Sequence, residues 1–391
     1  MASPKVSRRL IGVDAARGIA LFGMMSTHIF PLYIAGTADA SWVALVFSGK
    51  ASALFAVVAG LGLALLTGGD RVHHRQRLSM GRRGIAARAA VIMAIGLMLG
   101  GLETNIAIIL FHYGVLFLIA LPFVSLPVRQ LAWWAIGWTL LSPVVAYLLR
   151  PWIAETVSPS SVGGNPLFET LLQPATLLAD ITVTGYYPAL QWLSYLLIGM
   201  VIGRLRLLDL RVQLGLLAGG AAVAVAAKLV SGYLLGPLGG LAALLETPDG
   251  SRYPLGAMMN VSLTGVDQSG SWWWLAVSAP HSGSPLDLLH TGGTSALVIG
   301  LCLLATRRYE SVLLPLSGPG AMTLTLYTMH VWTMSVVDAQ EPAPDPSLVY
   351  WGQVLVFVIL GILFLRINAR GPLELLTSGA SRAARSGLNS K

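Results

Sequence analysis

Ten apolar stretches, each near the length of a bilayer crossing, alternate along this chain with short segments that hold most of its basic residues. A helix needs about 20 mainly apolar residues to cross the hydrocarbon core. Within that core each backbone N–H and C=O has to be paired internally, which leaves helices as the economical solution for such stretches. The stretches fall at about 11–35, 42–67, 84–102, 105–126, 130–149, 187–205, 211–235, 284–306, 317–338 and 347–368. The segment 253–280 holds either an eleventh helix, re-entrant or flat on the surface, or a loop. Hydrophobic residues make up 55% of the chain, charged residues only 11%, and the mean hydropathy is +0.72. The expected fold is an all-α polytopic membrane bundle of about 10–11 transmembrane helices. It forms one domain over 1–370, followed by a flexible cytoplasmic tail over 371–391. A multi-pass protein of the cell membrane, bathed in lipid, is the expected setting.

The net charge of +8 comes from 25 Lys and Arg against 17 Asp and Glu. Placing both termini inside gathers 20 of those 25 basic residues on the cytoplasmic side, from Lys5, Arg8 and Arg9 to Arg385 and Lys391. The positive-inside rule then gives an N-in, C-in orientation. The same distribution argues against a nucleic-acid partner, since the basic clusters punctuate spans instead of forming one surface. A single cysteine, Cys302, excludes an intrachain disulfide. No cysteine pair, His-Glu-x-x-His or phosphate-cradling Gly-rich loop occurs, so no metal is expected. No cleaved signal peptide is expected, because the first stretch carries Asp14 and Arg17 and lacks a small-residue cleavage pattern.

Ionisable side chains inside a span are costly and mark functional paths. Arg17 and His28 lie eleven residues apart on the first stretch. That is roughly three helical turns and about 16 Å, so both sit on one helix face, a cation near one surface and an imidazole deep inside. Asp14, three residues before Arg17, is placed for an ion pair on the same helix, and anchoring of the helix end is the competing reading. The segments 150–186 and 236–283 are long and rich in Gly, Pro, Ser and Thr, as lids and binding loops often are. Trp272, Trp273 and Trp274 form either an interfacial belt or a sugar-stacking platform. His281 lies in a Pro/Gly-broken segment, at either a pocket mouth or a capped helix start, with Ser284 as the cap. Thr323, Tyr327 and His330 fall at i, i+4 and i+7, a polar stripe that faces either a cavity or a neighbouring helix.

The run Arg9-Leu10-Ile11-Gly12-Val13-Asp14-Ala15-Ala16-Arg17-Gly18-Ile19-Ala20-Leu21 and its continuation to His28 resemble the transmembrane acyltransferase superfamily. The Arg17-x10-His28 spacing is similar to the signature of its acyltransferase-3 branch. The wider likeness is to the YeiB-like branch and the heparan-alpha-glucosaminide N-acetyltransferases. It runs through Gly49-Lys50-Ala51-Ser52-Ala53-Leu54-Phe55, Gly185-Tyr186-Tyr187-Pro188, His281-Ser282-Gly283-Ser284-Pro285 and Leu324-Thr325-Leu326-Tyr327.

The resemblance implies transfer of an acetyl group from cytoplasmic acetyl-CoA to an extracytoplasmic acceptor, a sugar or glycan hydroxyl or amine. His28 carries over as the catalytic histidine. In the lysosomal relatives an asparagine stands at the His28 position, and their histidine falls where Asp39 stands here, so Asp39 is the second catalytic candidate. Arg17, Asp14, Ser52, Arg71, Arg75, Arg82 and Arg83 are the candidate donor-binding residues. Tyr186, Tyr187, His281, Tyr327 and His330 are the candidate acceptor-binding residues. A homodimer is compatible with the resemblance. The competing class is a proton-coupled transporter or flippase without acyl chemistry, since intramembrane Arg, His and Asp also serve carriers.

Overall fold

The computed structural model describes residues 9–157 and 164–386. Lys5, Arg8, Lys391 and part of the 150–186 segment lie outside the described residues. In chain order the helices are α1 Ile11–Ile29, α2 Trp42–Phe47, α3 Lys50–Leu66, α4 Arg75–Gly100, α5 Leu110–Ile119 and α6 Val128–Thr156. There follow α7 Pro174–Ala179, α8 Ala189–Gly203, α9 Leu210–Leu235, α10 Gly240–Leu245, α11 Pro248–Arg252 and α12 Leu255–Val261. The chain closes with α13 Pro285–Ala305, α14 Leu314–Gly320, α15 Thr323–Asp338, α16 Pro346–Arg366 and α17 Pro372–Ser386. The described residues form no strand; Tyr33 and Ala40 make an isolated bridge.

Six segments are long and apolar enough to cross a membrane: Trp42–Leu66, Arg75–Gly100, Val128–Thr156, Leu210–Leu235, Pro285–Ala305 and Pro346–Arg366. α5 and α8 are apolar but shorter. Eight of the ten expected stretches each hold one α-helix, while 42–67 and 317–338 are each divided between two. The protein is thus a polytopic helical membrane protein. Residues 253–280 hold only the seven-residue α12 and a 3-10 turn, Trp272–Ala276, both too short to span.

Two elements differ from the expectation. The stretch 42–67 is interrupted, because Ser48 is extended and Gly49 takes φ +69, a left-handed conformation that glycine adopts without strain. Ser48 Oγ donates to the Val261 carbonyl at 2.5 Å, pinning the break to α12. The segment after 370, expected as a flexible tail, forms the amphipathic helix α17 packed along α4 as far as Ser386. Glu374 ties the same helix to α15. Its carboxylate accepts from the Leu324 and Thr325 amides and the Thr325 hydroxyl, satisfying the first turn of α15.

Helix packing relies on small residues. A Cβ on Gly18 would run into the Leu316 carbonyl of α14, and one on Gly320 into the Asp14 carbonyl of α1. Gly60 on α3 meets Leu196 on α8, and Gly199 on α8 meets Val57 on α3. Such close backbone approach is how membrane helices gain packing energy without a hydrophobic driving force between them. At the arginine-rich end, Arg204 donates to the carbonyls of Ala64 at 2.8 Å, Gly69 at 2.8 Å and Val124 at 2.6 Å, and to Thr67 Oγ1 at 3.0 Å. One buried guanidinium thereby joins the ends of α3, α5 and α8. Residues 239–279 form a cap at the opposite end, with its own core around Leu244, Leu255 and Trp274.

Arg204→Met will leave these acceptors without their donor. Hydrogen bonds to charged groups are worth about 1.5–3 kcal/mol each, so several kcal/mol are at stake. Thermal unfolding in detergent should show a large drop in Tm. Arg204→Lys should recover little of it, because an ammonium cannot reproduce the planar fork. A lysine variant as stable as wild type would contradict this account.

Candidate active site

His28 stands on the last turn of α1, half-buried. Its Nδ1 lies 3.0 Å from Nε2 of His330 on α15. The two rings are stacked, with centroids 5.3 Å apart and planes within 12°. His330 is completely buried, and its Nδ1 lies 2.8 Å from Oε1 of Gln353 on α16. The other end of that amide faces the Met334 sulfur at 3.8 Å. The chain of partners sets the proton positions. The Gln353 carbonyl oxygen can only accept, so His330 Nδ1–H donates to it. Neutral His330 then accepts at Nε2 from His28 Nδ1–H, and His28 keeps a lone pair on Nε2.

His28 lines a cavity of about 210 Å³, together with Thr27, Ser52, Asn105, Tyr186, Tyr187 and His281. The break at Gly49 places Gly49 and Ser52 on this wall. A second chamber of about 190 Å³ adjoins it and shares Gly49, Tyr186, Thr264 and His281. His281 therefore forms part of the partition. Its backbone holds φ +60, an uncommon value for a residue with a Cβ. Its ring stacks on Trp192 at 6.5 Å and meets Tyr187 edge-on at 6.3 Å. Burial pushes the His281 imidazole down to about 4, so it is neutral at physiological pH. Tyr187 is held by its hydroxyl, which donates to the Ala107 carbonyl at 2.9 Å.

Thus the structure gathers His28, Ser52, Tyr186, Tyr187 and His281 around one cavity. It does not gather all the candidates. Asp39 is exposed, on the loop between α1 and α2, and lines neither cavity. That loop leaves the helix at Phe30 and turns outward through the Tyr33–Ala40 bridge. His330 sits behind His28 instead of facing an acceptor. Tyr327 is buried within the helix packing, where its hydroxyl accepts from the Ile109 amide at 3.4 Å.

The donor candidates divide similarly. Asp14, 5% exposed, takes Arg9 Nε at 2.5 Å and Arg17 at 3.1 Å on its two oxygens. Arg82 is committed to the Leu121 carbonyl and Ser125. Arg71, Arg75 and Arg83 are exposed. Ser52 lies on the histidine cavity, away from these arginines. Arg88 was not anticipated as part of this group. Its buried Nε has no hydrogen-bond partner, and Arg17, Arg370 and Glu374 act on it electrostatically. Gln353 was missed as well, although a lone amide in an otherwise apolar span is a legible signal. The tryptophan run splits: Trp274 is core, with its indole N–H on the Ser269 carbonyl, while Trp272 is exposed and packs on Tyr147. Among the described residues no cluster of His, Cys, Asp and Glu is disposed to hold a metal ion.

No curated protein matches the chain. A family model described as Heparan-alpha-glucosaminide N-acetyltransferase, catalytic, matches residues 9–232. The match covers more than half of the chain, and it takes in the whole of α1, both helices flanking the Gly49 break, and Tyr186 and Tyr187. The matched residues include His28 and end before His281, His330 and Gln353, and the chain belongs to the heparan-alpha-glucosaminide N-acetyltransferase catalytic family.

Proposed function

We propose that this protein transfers an acetyl group from acetyl-CoA, bound from the arginine-rich cytoplasmic side, to an acceptor entering from the opposite face. The observation that carries the reading is the Gln353–His330–His28 chain, which leaves His28 Nε2 unprotonated at the cavity. Membership of an acetyltransferase family supports it independently. The Arg17-x10-His28 spacing adds that a cation in the first half of α1 and the imidazole on its last turn lie about three turns apart on one helix. The distribution of arginines supports the N-in, C-in orientation.

In the transfer step an acceptor hydroxyl or amine attacks the thioester carbonyl carbon. His28 Nε2 takes the proton that the nucleophile loses, the C–S bond breaks, and the leaving thiolate of CoA recovers that proton from His28. General base catalysis of this kind contributes roughly 10²–10⁴ in rate. His330 and Gln353 are positioning residues: they fix the tautomer and angle of His28 without touching substrate. The donor's phosphates are read as meeting Arg17 and Arg88, since guanidinium groups match phosphate geometry. Arg17 is already half committed to Asp14 and so is held ready.

His28→Ala, assayed in detergent with radiolabelled acetyl-CoA and an amine or sugar acceptor, is expected to lose at least roughly 10²-fold in kcat while still binding the donor. Asp39→Ala should retain wild-type turnover. If Asp39→Ala is inactive and His28→Ala is not, the base is Asp39 and the assignment falls. No donor binding by folded wild type would favour a carrier.

Gln353→Leu tests the positioning chain. It should lower kcat by about tenfold with little change in either KM, and Gln353→Glu should recover part of the loss because it still accepts from His330 Nδ1–H. A change confined to Tm, with kcat intact, would make Gln353 a packing residue only.

A further inference from the structure

Between α4 and α5 the chain runs without regular structure, and Asn105 and Ala107 of this segment line the His28 cavity. The segment is not loose. Asp338, at the end of α15, accepts from the Thr104 hydroxyl at 3.2 Å and from the Asn105 amide at 3.3 Å. The Asn165 carboxamide donates to the Ile106 carbonyl at 2.8 Å and accepts from the Ile108 amide at 2.7 Å. Tyr187 holds the Ala107 carbonyl, and Tyr327 holds the Ile109 amide. Side chains from α15, from the segment before α7 and from the turn before α8 thus pin every residue from Thr104 to Ile109. Pairing of backbone groups accounts for the anchors themselves. It does not account for the Asn105 side chain, which is exposed and makes no hydrogen bond among the described residues.

Attack on a thioester places negative charge on the carbonyl oxygen, and one donor aimed at that oxygen contributes about 10²–10³ in kcat. His28 supplies a base but no such donor. Most hydroxyls on its cavity are already committed. Thr27 donates to the Met24 carbonyl at 2.8 Å, Ser52 to the Gly49 carbonyl at 3.2 Å and Ser262 to Thr264 Oγ1 at 2.9 Å. Ser48 and Tyr187 donate to the Val261 and Ala107 carbonyls. Tyr186, Thr264 and His281 stand where the two chambers meet. Asn105 borders the His28 cavity and not the second chamber. A carboxamide offers two N–H donors and does not titrate, so it can stabilise an oxyanion without exchanging protons with His28.

We propose that the Asn105 carboxamide is the oxyanion donor of the transfer step, with Nδ2–H donating to the thioester carbonyl oxygen. This rests on the reading of the His28 cavity as the reaction centre. As the acceptor bonds to the carbonyl carbon, the C=O π electrons move onto oxygen and the hydrogen bond from Asn105 strengthens. As C=O re-forms, the C–S bond breaks and the thiolate takes the proton held by His28; Asn105 gives up none. Asp338 is a positioning residue. It fixes Asn105 from α15, the helix that also carries His330, so donor and base are referenced to one element. The competing explanation is a solvent-facing residue on a segment anchored only to pair its backbone.

The test follows release of CoA thiol from acetyl-CoA by the full-length protein in detergent, with glucosamine as acceptor. Asn105→Ala should lower kcat roughly 10²-fold while both KM values and Tm stay near wild type, the pattern of an interaction made only in the transition state. Its pH profile should keep the wild-type midpoint, because the base is untouched. Asn105→Asp keeps the shape but removes the N–H donors and adds a repelling charge. It should be at least as slow, and it carries the test if the alanine variant folds poorly. Asp338→Ala should lose about tenfold in kcat. Wild-type turnover by Asn105→Asp, or a loss confined to KM, would overturn the assignment. If Asn105→Ala turns over normally and His28→Ala does not, the base stands and only the oxyanion donor falls. If Asn105→Ala is slow and His28→Ala is not, the base reading fails by itself. No thiol release by wild type would overturn both.

Discussion

Direct backbone contact at glycines is the interaction on which this molecule depends. Lipid offers helices no hydrophobic reason to associate, so packing energy has to come from close approach. α1 shows the consequence. Gly12 lies against Leu303 of α13, Gly18 against Leu316 of α14, and Gly23 against Phe47 of α2. Three points along one helix are thus fixed. His28 at its end inherits that rigidity, and a shift of a side chain by about 1 Å is enough to cost a catalytic group much of its effect. The 3.0 Å contact to His330 and the 2.8 Å contact to Gln353 need α1, α15 and α16 to hold their spacing.

Interruptions of regular structure make the space in which chemistry is proposed. A continuous second span would present a helix wall opposite His28. The left-handed turn at Gly49 opens that wall, and the α12 contact through Ser48 holds it open. The segment before α13 does the same from the other side, with His281 and Gly283 both at positive φ. Irregular backbone at such depth is tolerated where it lines a cavity instead of lipid. At the other end, Arg204 and Glu374 satisfy carbonyls and amides that the helix ends leave open.

The helical bundle was legible because hydropathy is a local property. A stretch such as 346–366 has to cross or be buried whatever its neighbours do. His28 was legible for a related reason: an ionisable group on an apolar helix needs an explanation, and its distance from Arg17 along one helix is set by helical rise alone. The grouping of Tyr186, Tyr187 and His281 was expected from the residues and the resemblance, whereas Ser52 was expected beside the arginines; nothing local says that α3, the turn before α8 and the turn before α13 share one wall.

Where sequence and structure part, the missing information is which helices are neighbours. Asp39 lies eleven residues from His28, yet the chain leaves α1 at Phe30 and carries it outward. His330 reads as a polar stripe, and only the packing of α15 between α1 and α16 turns that stripe into support for His28. Arg82 looks like its exposed neighbour Arg83, but the helix rotation that sends it to the Leu121 carbonyl is set by packing against α5. By itself the sequence determined that this chain is a membrane-embedded helical bundle with an arginine-rich end and a histidine three turns from Arg17 on its first helix, because hydropathy, charge and helical rise need no partner. The tertiary structure alone decided which nitrogen of that histidine faces the cavity, and which of the other polar residues stand beside it. Tautomer and cavity are set by contacts between helices hundreds of residues apart, and pairing in a membrane follows surface fit between helices, which no single segment encodes.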